Sequence, residues 1–248
     1  MPDPAVTLLF RPGQRPDSDG VRALSGRDPR FEVTAGGTDT ATGASGSEHW
    51  VELLMNGLTF DLVGLSPGKS APVEKSRHVF SMDAEAISGS WEAIVLKPGP
   101  HLSSGRTMPP VLRSLAWLGA MLAEIPGVEA VIWHSASIWS SPDYFRRTVI
   151  NWIEGGVFPG FGLTALVPVE GGGMRSEGLA CFIGLELSVA ANVARDQQDL
   201  AKLSLRIVHW LVEHGGLESD VALTGPSGEP IVLRPDPLAG IIRAERTA

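Results

Sequence analysis

The sequence predicts an α+β fold with two sheets, and three observations lead there. Short β-rich runs and amphipathic helical segments alternate along all 248 residues, without the regular repetition of a doubly wound sheet or a barrel. The 29 glycines and 19 prolines fall between the periodic segments, where turns belong. Hydrophobic residues make up 43% against 19% charged, enough apolar side chain for a sizeable core. The elements suit two ferredoxin-like (βαββαβ-type) sheets with helices packed on one face of each. No sequence repeat is present, so any duplication is structural. The expected halves are residues 1–90, with a flexible Gly-rich loop at 36–47, and residues 91–248.

The first half begins with Ala5–Phe10, which is short and β-rich. Asp17 or Ser18 can cap a helix through Leu24, and Phe31–Thr34 reads as the next strand. Gly36–Ser47 has no apolar anchor and reads as a mobile loop. Trp50–Met55 and Leu58–Val63 flank Asn56-Gly57, a strong hairpin signal, because a type I′ turn needs φ > 0 at both central positions. Ser81 can cap a short helix, Met82–Ser88, with Asp83 and Glu85 in its first turn.

The second half is better patterned. Glu92–Lys97 reads as a buried strand. Val111, Leu115, Leu118, Leu122 and Ile125 then recur at helical spacing between Pro109-Pro110 and Pro126-Gly127. Glu129–Trp133 follows, expected as a parallel neighbour of the preceding strand through a right-handed crossover. Ser141 caps a helix with Pro142 at its first position, and Gly155-Gly156 ends it. Leu163–Val169 and Leu179–Val189 are expected to form a long hairpin around Gly171-Gly172-Gly173. Asp196 opens the longest helix, with Leu200, Leu203, Ile207 and Leu211 on one face, before Gly215-Gly216. Val221–Thr224 and Ile231–Arg234 close the chain around a Gly225–Gly228 turn.

Charge and cysteine usage narrow the function classes. Twenty Lys+Arg against 28 Asp+Glu give a net charge of −8, and the pI is about 5.2. An acidic balance argues against nucleic acid and anionic membranes as partners. A single cysteine, Cys181, excludes an intramolecular disulfide and a Cys-based metal cage. No segment reads as a signal peptide or a membrane span: Glu124, Pro126, Gly127 and Glu129 break the apolar stretch from Leu115 to Trp133. A cytoplasmic location is the expectation.

Two motifs fail on their chemistry. Gly64-Leu-Ser-Pro-Gly68 spells a nucleophile elbow, but Pro67 lacks the backbone N–H that an oxyanion hole takes from the residue after the serine. His209 and His214, five residues apart on one helix, point about 140° apart and cannot share a metal. No metal and no cofactor is expected.

The best candidate site is the loop from Lys97 to Thr107. It leaves the carboxyl end of a strand and leads into a helix N-terminus, where free N–H groups attract anions. Lys97, Ser103, Ser104 and Arg106 are its candidate ligand-binding residues, and His101 a candidate catalytic one. If the two strands share an edge, His134 at the end of the next strand joins His101 around one ligand, a phosphate or carboxylate rather than a metal. The alternative is that this loop only shapes a turn and His134 belongs to the core. Most of the seven tryptophans read as core, with Trp139 expected exposed as a partner anchor.

The strand–loop–helix before Ala130-Val-Ile-Trp-His134, and the Ser141-Pro-Asp-Tyr-Phe145 that follows, resemble a bacterial family described only as domain of unknown function 4261. The hairpin Met55–Val63 is similar to that family's earlier hairpin. The resemblance spans roughly residues 50–215. It implies a fold and no catalytic residues. Two functions are therefore carried forward. The first is a non-enzymatic binding protein of accessory or immunity type, engaging a protein partner. The second is a small-molecule enzyme acting on an anionic substrate at the His101/His134 edge.

Overall fold

Strand β1 (Val6–Phe10) is buried along its whole length, which places it at the centre of a sheet. The computed structural model describes residues 3–39, 48–83, 87–225 and 228–247. Two units emerge, one up to Gly156 and one from Val157 onward. The expected division near residue 90 is corrected: β6 (Glu92–Pro98) and β7 (Val128–Trp133) flank β1 on either side, so the N-terminal strand and the strands of the middle third form one sheet.

The first unit carries an eight-stranded sheet ordered β2-β3-β4-β6-β1-β7-β8-β5. Its other members are β2 (Glu32–Asp39), β3 (Glu48–Met55), β4 (Leu58–Leu65), β5 (His78–Phe80) and β8 (Ile138–Ser140). β3 and β4 form the expected hairpin, with Asn56 at φ 53° and Gly57 at φ 75°. The Gly-rich stretch is corrected at its start: Gly36–Asp39 continue β2 and pair with β3, and residues 40–47 lie outside the described ones. The centre of the short helix expected at Met82–Ser88, residues 84–86, also lies outside them.

Helices α1 (Ser18–Ser25), α2 (Pro109–Leu122) and α3 (Pro142–Ile153) belong to the same unit. Asp17 caps α1 and Ser141 caps α3 through their side chains. A Cβ placed on Gly119 of α2 would lie 3.0 Å from Val6 of β1 and 3.4 Å from Phe145 of α3, so α2 lies against the sheet face that Val6 presents. Alternation along β1 then puts Leu8 and Phe10 on that face and Thr7 and Leu9 on the other.

The second face of β1 is covered by the segment between β4 and β6. Leu9, Ala71, Ala93, Ala130, Ile132 and Trp139 form a buried cluster there, with Val79, Met82 and Trp91 packed on it. Trp139 corrects the expectation of an exposed anchor. It is 3% exposed, in β8, with Trp91 edge-on at 6.3 Å. The Gly64–Gly68 segment is the start of this cover. Gly64 has φ 86°, and a Cβ there would come within 2.7 Å of the Ala93 carbonyl, so only glycine lets the chain turn here. Arg15 ties the turn down through the carbonyls of Gly64 and Gly68.

The second unit carries a six-stranded sheet ordered β12-β13-β14-β11-β10-β9. Its strands are β9 (Ala165–Pro168), β10 (Met174–Glu177), β11 (Glu186–Val189), β12 (Val221–Thr224), β13 (Pro230–Asp236) and β14 (Ile241–Arg246). The hairpin around Gly171–Gly173 exists, but the long strand expected at 179–189 does not. A helical turn α4 (Ala180–Ile183) interrupts it, because Glu186 accepts hydrogen bonds from the backbone of Gly178, Leu179 and Ala180 and holds the chain in a turn. Cys181 is buried in that turn. Helix α5 (Gln197–His214) starts at the Asp196 cap and stops at Gly215, φ 78°, as expected. The molecule is thus α+β with two sheets. Their strand orders do not repeat one another, and no ferredoxin-like duplication is evident in them. Among the described residues, no helix is long and apolar enough to cross a membrane.

Candidate functional site

Leu96 of β6 and Trp133 of β7 both pair with Val6 of β1, and both strands run antiparallel to it. The carboxyl ends of β6 and β7 therefore open onto one rim, as the sequence led us to expect. They are not neighbours, however. β1 stands between them, which sets them roughly 10 Å apart, two strand spacings.

The two histidines consequently serve different surroundings. His134 is 9% exposed, and its backbone N–H donates to the Ala5 carbonyl at 3.1 Å. Its Nδ1 lies 3.4 Å from Glu74 Oε1 and its Nε2 2.6 Å from Thr7 Oγ1. With the proton on Nδ1 facing the carboxylate, Nε2 accepts from the threonine hydroxyl. Burial pushes the imidazole below its ordinary pKa, against the opposing pull of Glu74. Threonine, histidine and glutamate stand in the order of nucleophile, base and carboxylate, but Thr7 has no exposed surface, so its hydroxyl meets no substrate. The arrangement pins the covering segment to β1 through Glu74.

His101 is exposed and bonds Thr59 Oγ1 of β4 at 3.1 Å through Nε2. It sits on a 3-10 turn, Pro100–Gly105, that Gly99 anchors by donating to the Thr59 carbonyl at 2.9 Å. Ser103 and Ser104 are exposed on this turn. Arg106 turns to Asp3 at 2.9 Å and to the Ser103 carbonyl at 3.2 Å. The expected anion site at the start of α2 is weakened by the helix's own first residues. Pro109 and Pro110 occupy its first positions and remove two of the N–H groups that would face an anion.

Register across the sheet brings in residues that motif reading missed. Lys97 of β6 stands opposite Asp61 of β4, and Asp61 stands opposite Glu52 of β3. Thr34 of β2 continues the row by donating to Glu52 Oε1 at 2.7 Å. Leu62 and Leu96 pair with each other and continue the Val6 face toward α2, so Asp61 and Lys97 lie on the opposite face. Trp50, Glu52, Leu54, Thr59, Asp61 and Val63 are all half-buried on that face, beyond the covering segment. Partial burial pushes the Asp61 carboxyl up. Lys97 and His101 pull it down, and Glu52 adds to the rise. Two carboxylates directly opposite on adjacent strands repel each other. The only advance signal was the alternation of Glu52 and Asp61 with apolar residues around the Asn56-Gly57 turn, which fixes their pairing.

Comparison with family models, with curated proteins and with solved structures found no match to this chain.

Proposed function

We propose that this chain is a non-enzymatic binding protein, an accessory- or immunity-type bacterial factor of the cytoplasm. Its open sheet face, on β2, β3, β4 and β6, engages a protein partner that presents a guanidinium or ammonium group. One observation carries the reading: Glu52 and Asp61 face each other across adjacent strands, half-buried and ringed by Trp50, Leu54 and Val63. A folded chain gains nothing from such a pair by itself. A cation from a partner relieves the repulsion, and the apolar ring around it resembles the centre of a protein interface. The net charge of −8 adds long-range attraction for the same kind of partner.

A second reading keeps the enzyme, with an anionic small molecule held by Lys97, Ser103, Ser104 and Arg106 and with His101 as general base. It is favoured by Lys97 and His101 both lying within electrostatic reach of Asp61. Amide-resolved NMR separates the two. A peptide of alternating arginine and leucine should shift resonances of β3 and β4, and the Glu52→Gln/Asp61→Asn double variant should abolish the shifts. Shifts confined to residues 97–106 on adding inorganic phosphate, with none from the peptide, would replace the first reading by the second.

A further inference from the structure

The first unit also holds a cavity of about 430 Å³, lined by Met55 and Leu58 of the β3–β4 hairpin, Pro110 and Trp117 of α2, and Ile153 at the end of α3. Its size falls within the range of small-ligand pockets, and its walls are mainly apolar. Three polar residues line it as well: Asn56, Arg113 and Ser114.

Of these three, Arg113 is a pure donor and a cation, while Ser114 and Asn56 can each donate or accept. Arg113 is half-buried, with its guanidinium 4.7 Å from the centre of the Trp152 ring, and it donates to the Ile153 carbonyl at 3.2 Å. Among the described residues it makes no ion pair, whereas Arg30, over the Trp117 ring at 4.4 Å, is matched by Asp28 at 2.6 Å. A guanidinium carries five N–H donors, so most of its capacity is unspent. Ser114 is 4% exposed, and its Oγ accepts only a long bond, 3.5 Å, from Asn56 Nδ2. Asn56, at the hairpin tip, adds amide N–H donors. A half-buried cation without an anion costs stability unless something answers it.

We infer that this cavity binds a small monocarboxylic acid with an apolar body. The carboxylate accepts from Arg113 and Ser114, and the body lies against Trp117, Leu58 and Met55. The apolar walls supply burial, and the donors select for an anion over a neutral analogue. The site is separate from the Glu52–Asp61 face and stands whether or not that face binds a partner.

Calorimetric titration with phenylacetate and octanoate, each beside its carboxamide, tests the assignment. The acids should bind about tenfold or more tightly than the amides, the ratio expected when charge-assisted hydrogen bonds are lost. Arg113→Gln should bring acid binding down to the amide level, and Ser114→Ala, which suits a helix, should weaken it severalfold. Arg146→Gln, on the surface of α3, should change nothing. A leucine-terminated tripeptide against its C-terminal amide separates a free metabolite from a chain terminus as the source of the carboxylate. Equal binding of acids and amides, wild-type affinity in both the Arg113 and Ser114 variants, or no saturable binding of either acid overturns the inference.

Discussion

Replacing Asp61 by Asn should make the protein more stable at neutral pH. Asp61 faces Glu52 on one flank and Lys97 on the other, at the directly opposed positions of adjacent strands. Side chains so placed have Cβ atoms about 5 Å apart, and opposed pairs of charge contribute roughly 0.2–1 kcal/mol of either sign. Lys97 and His101 favour the carboxylate and Glu52 opposes it, but partial burial is the largest influence and leaves the charged form at a net cost. Asp61 retains considerable exposure, so solvent screening keeps the gain from Asn at or below about 1 kcal/mol. For a unit of this size that corresponds to a rise in Tm of about 1–4 °C. The pH dependence supplies a second check. A carboxyl whose folded pKa lies above its ordinary 3.8 favours folding fully below 3.8 and loses that contribution as pH rises through the folded value. The variant and the wild type should therefore melt together near the ordinary carboxyl pKa and separate as pH rises to neutrality. Thermal unfolding followed by circular dichroism across that range reads both effects. A lower Tm for Asp61→Asn at neutral pH would mean that Lys97 outweighs both burial and Glu52, and the argument for a site kept at a cost to stability would fall.

Two further outcomes follow from the packing. His134, depressed below its ordinary 6.5, favours folding fully above that value and loses the contribution as pH falls toward the folded pKa. His134→Gln should lower stability at pH above 7 by about 1–2 kcal/mol, the worth of the lost Thr7 contact, and should flatten the loss of Tm on acidification below 6.5. Gly119→Val should destabilise by about 1–3 kcal/mol in urea with an unchanged m-value, because the new side chain starts 3.0 Å from Val6 and the sheet must give way.

Much of the local structure was legible in the residues themselves. The Asn56-Gly57 turn, the Ser141 cap with Pro142, and the Asp196-to-Gly215 span of the longest helix each carry a backbone requirement that few other residues meet. The missed elements lacked such signals. β5 and β8 are three residues each, too short for any period to show. β14 mixes Arg and Glu with its apolar residues, although Ile242 and Ala244 are fully buried in the sheet. α4 exists because Glu186, several residues downstream, gathers the amides of Gly178 to Ala180, a contact that no window of propensity contains.

The candidate site divides along the same line. Lys97 and His101 were found from their place at a strand end, and the structure does put them on an edge shared with His134. Their partners Asp61, Glu52 and Thr59 come from a hairpin that lies earlier in the chain, and only the insertion of β1 between β6 and β7 decides that His134 turns inward to Thr7 while His101 faces out.

By itself, then, the order of residues determined where the chain turns, caps and alternates, because those preferences arise from φ/ψ sterics and from hydrogen bonds a few residues long. Which strands lie side by side, which histidine is sealed, and that Arg113 makes no ion pair among the described residues were decided only by tertiary structure. Those outcomes depend on burial and charge contributed by segments distant along the chain, and such energies exist only once the sheet has formed.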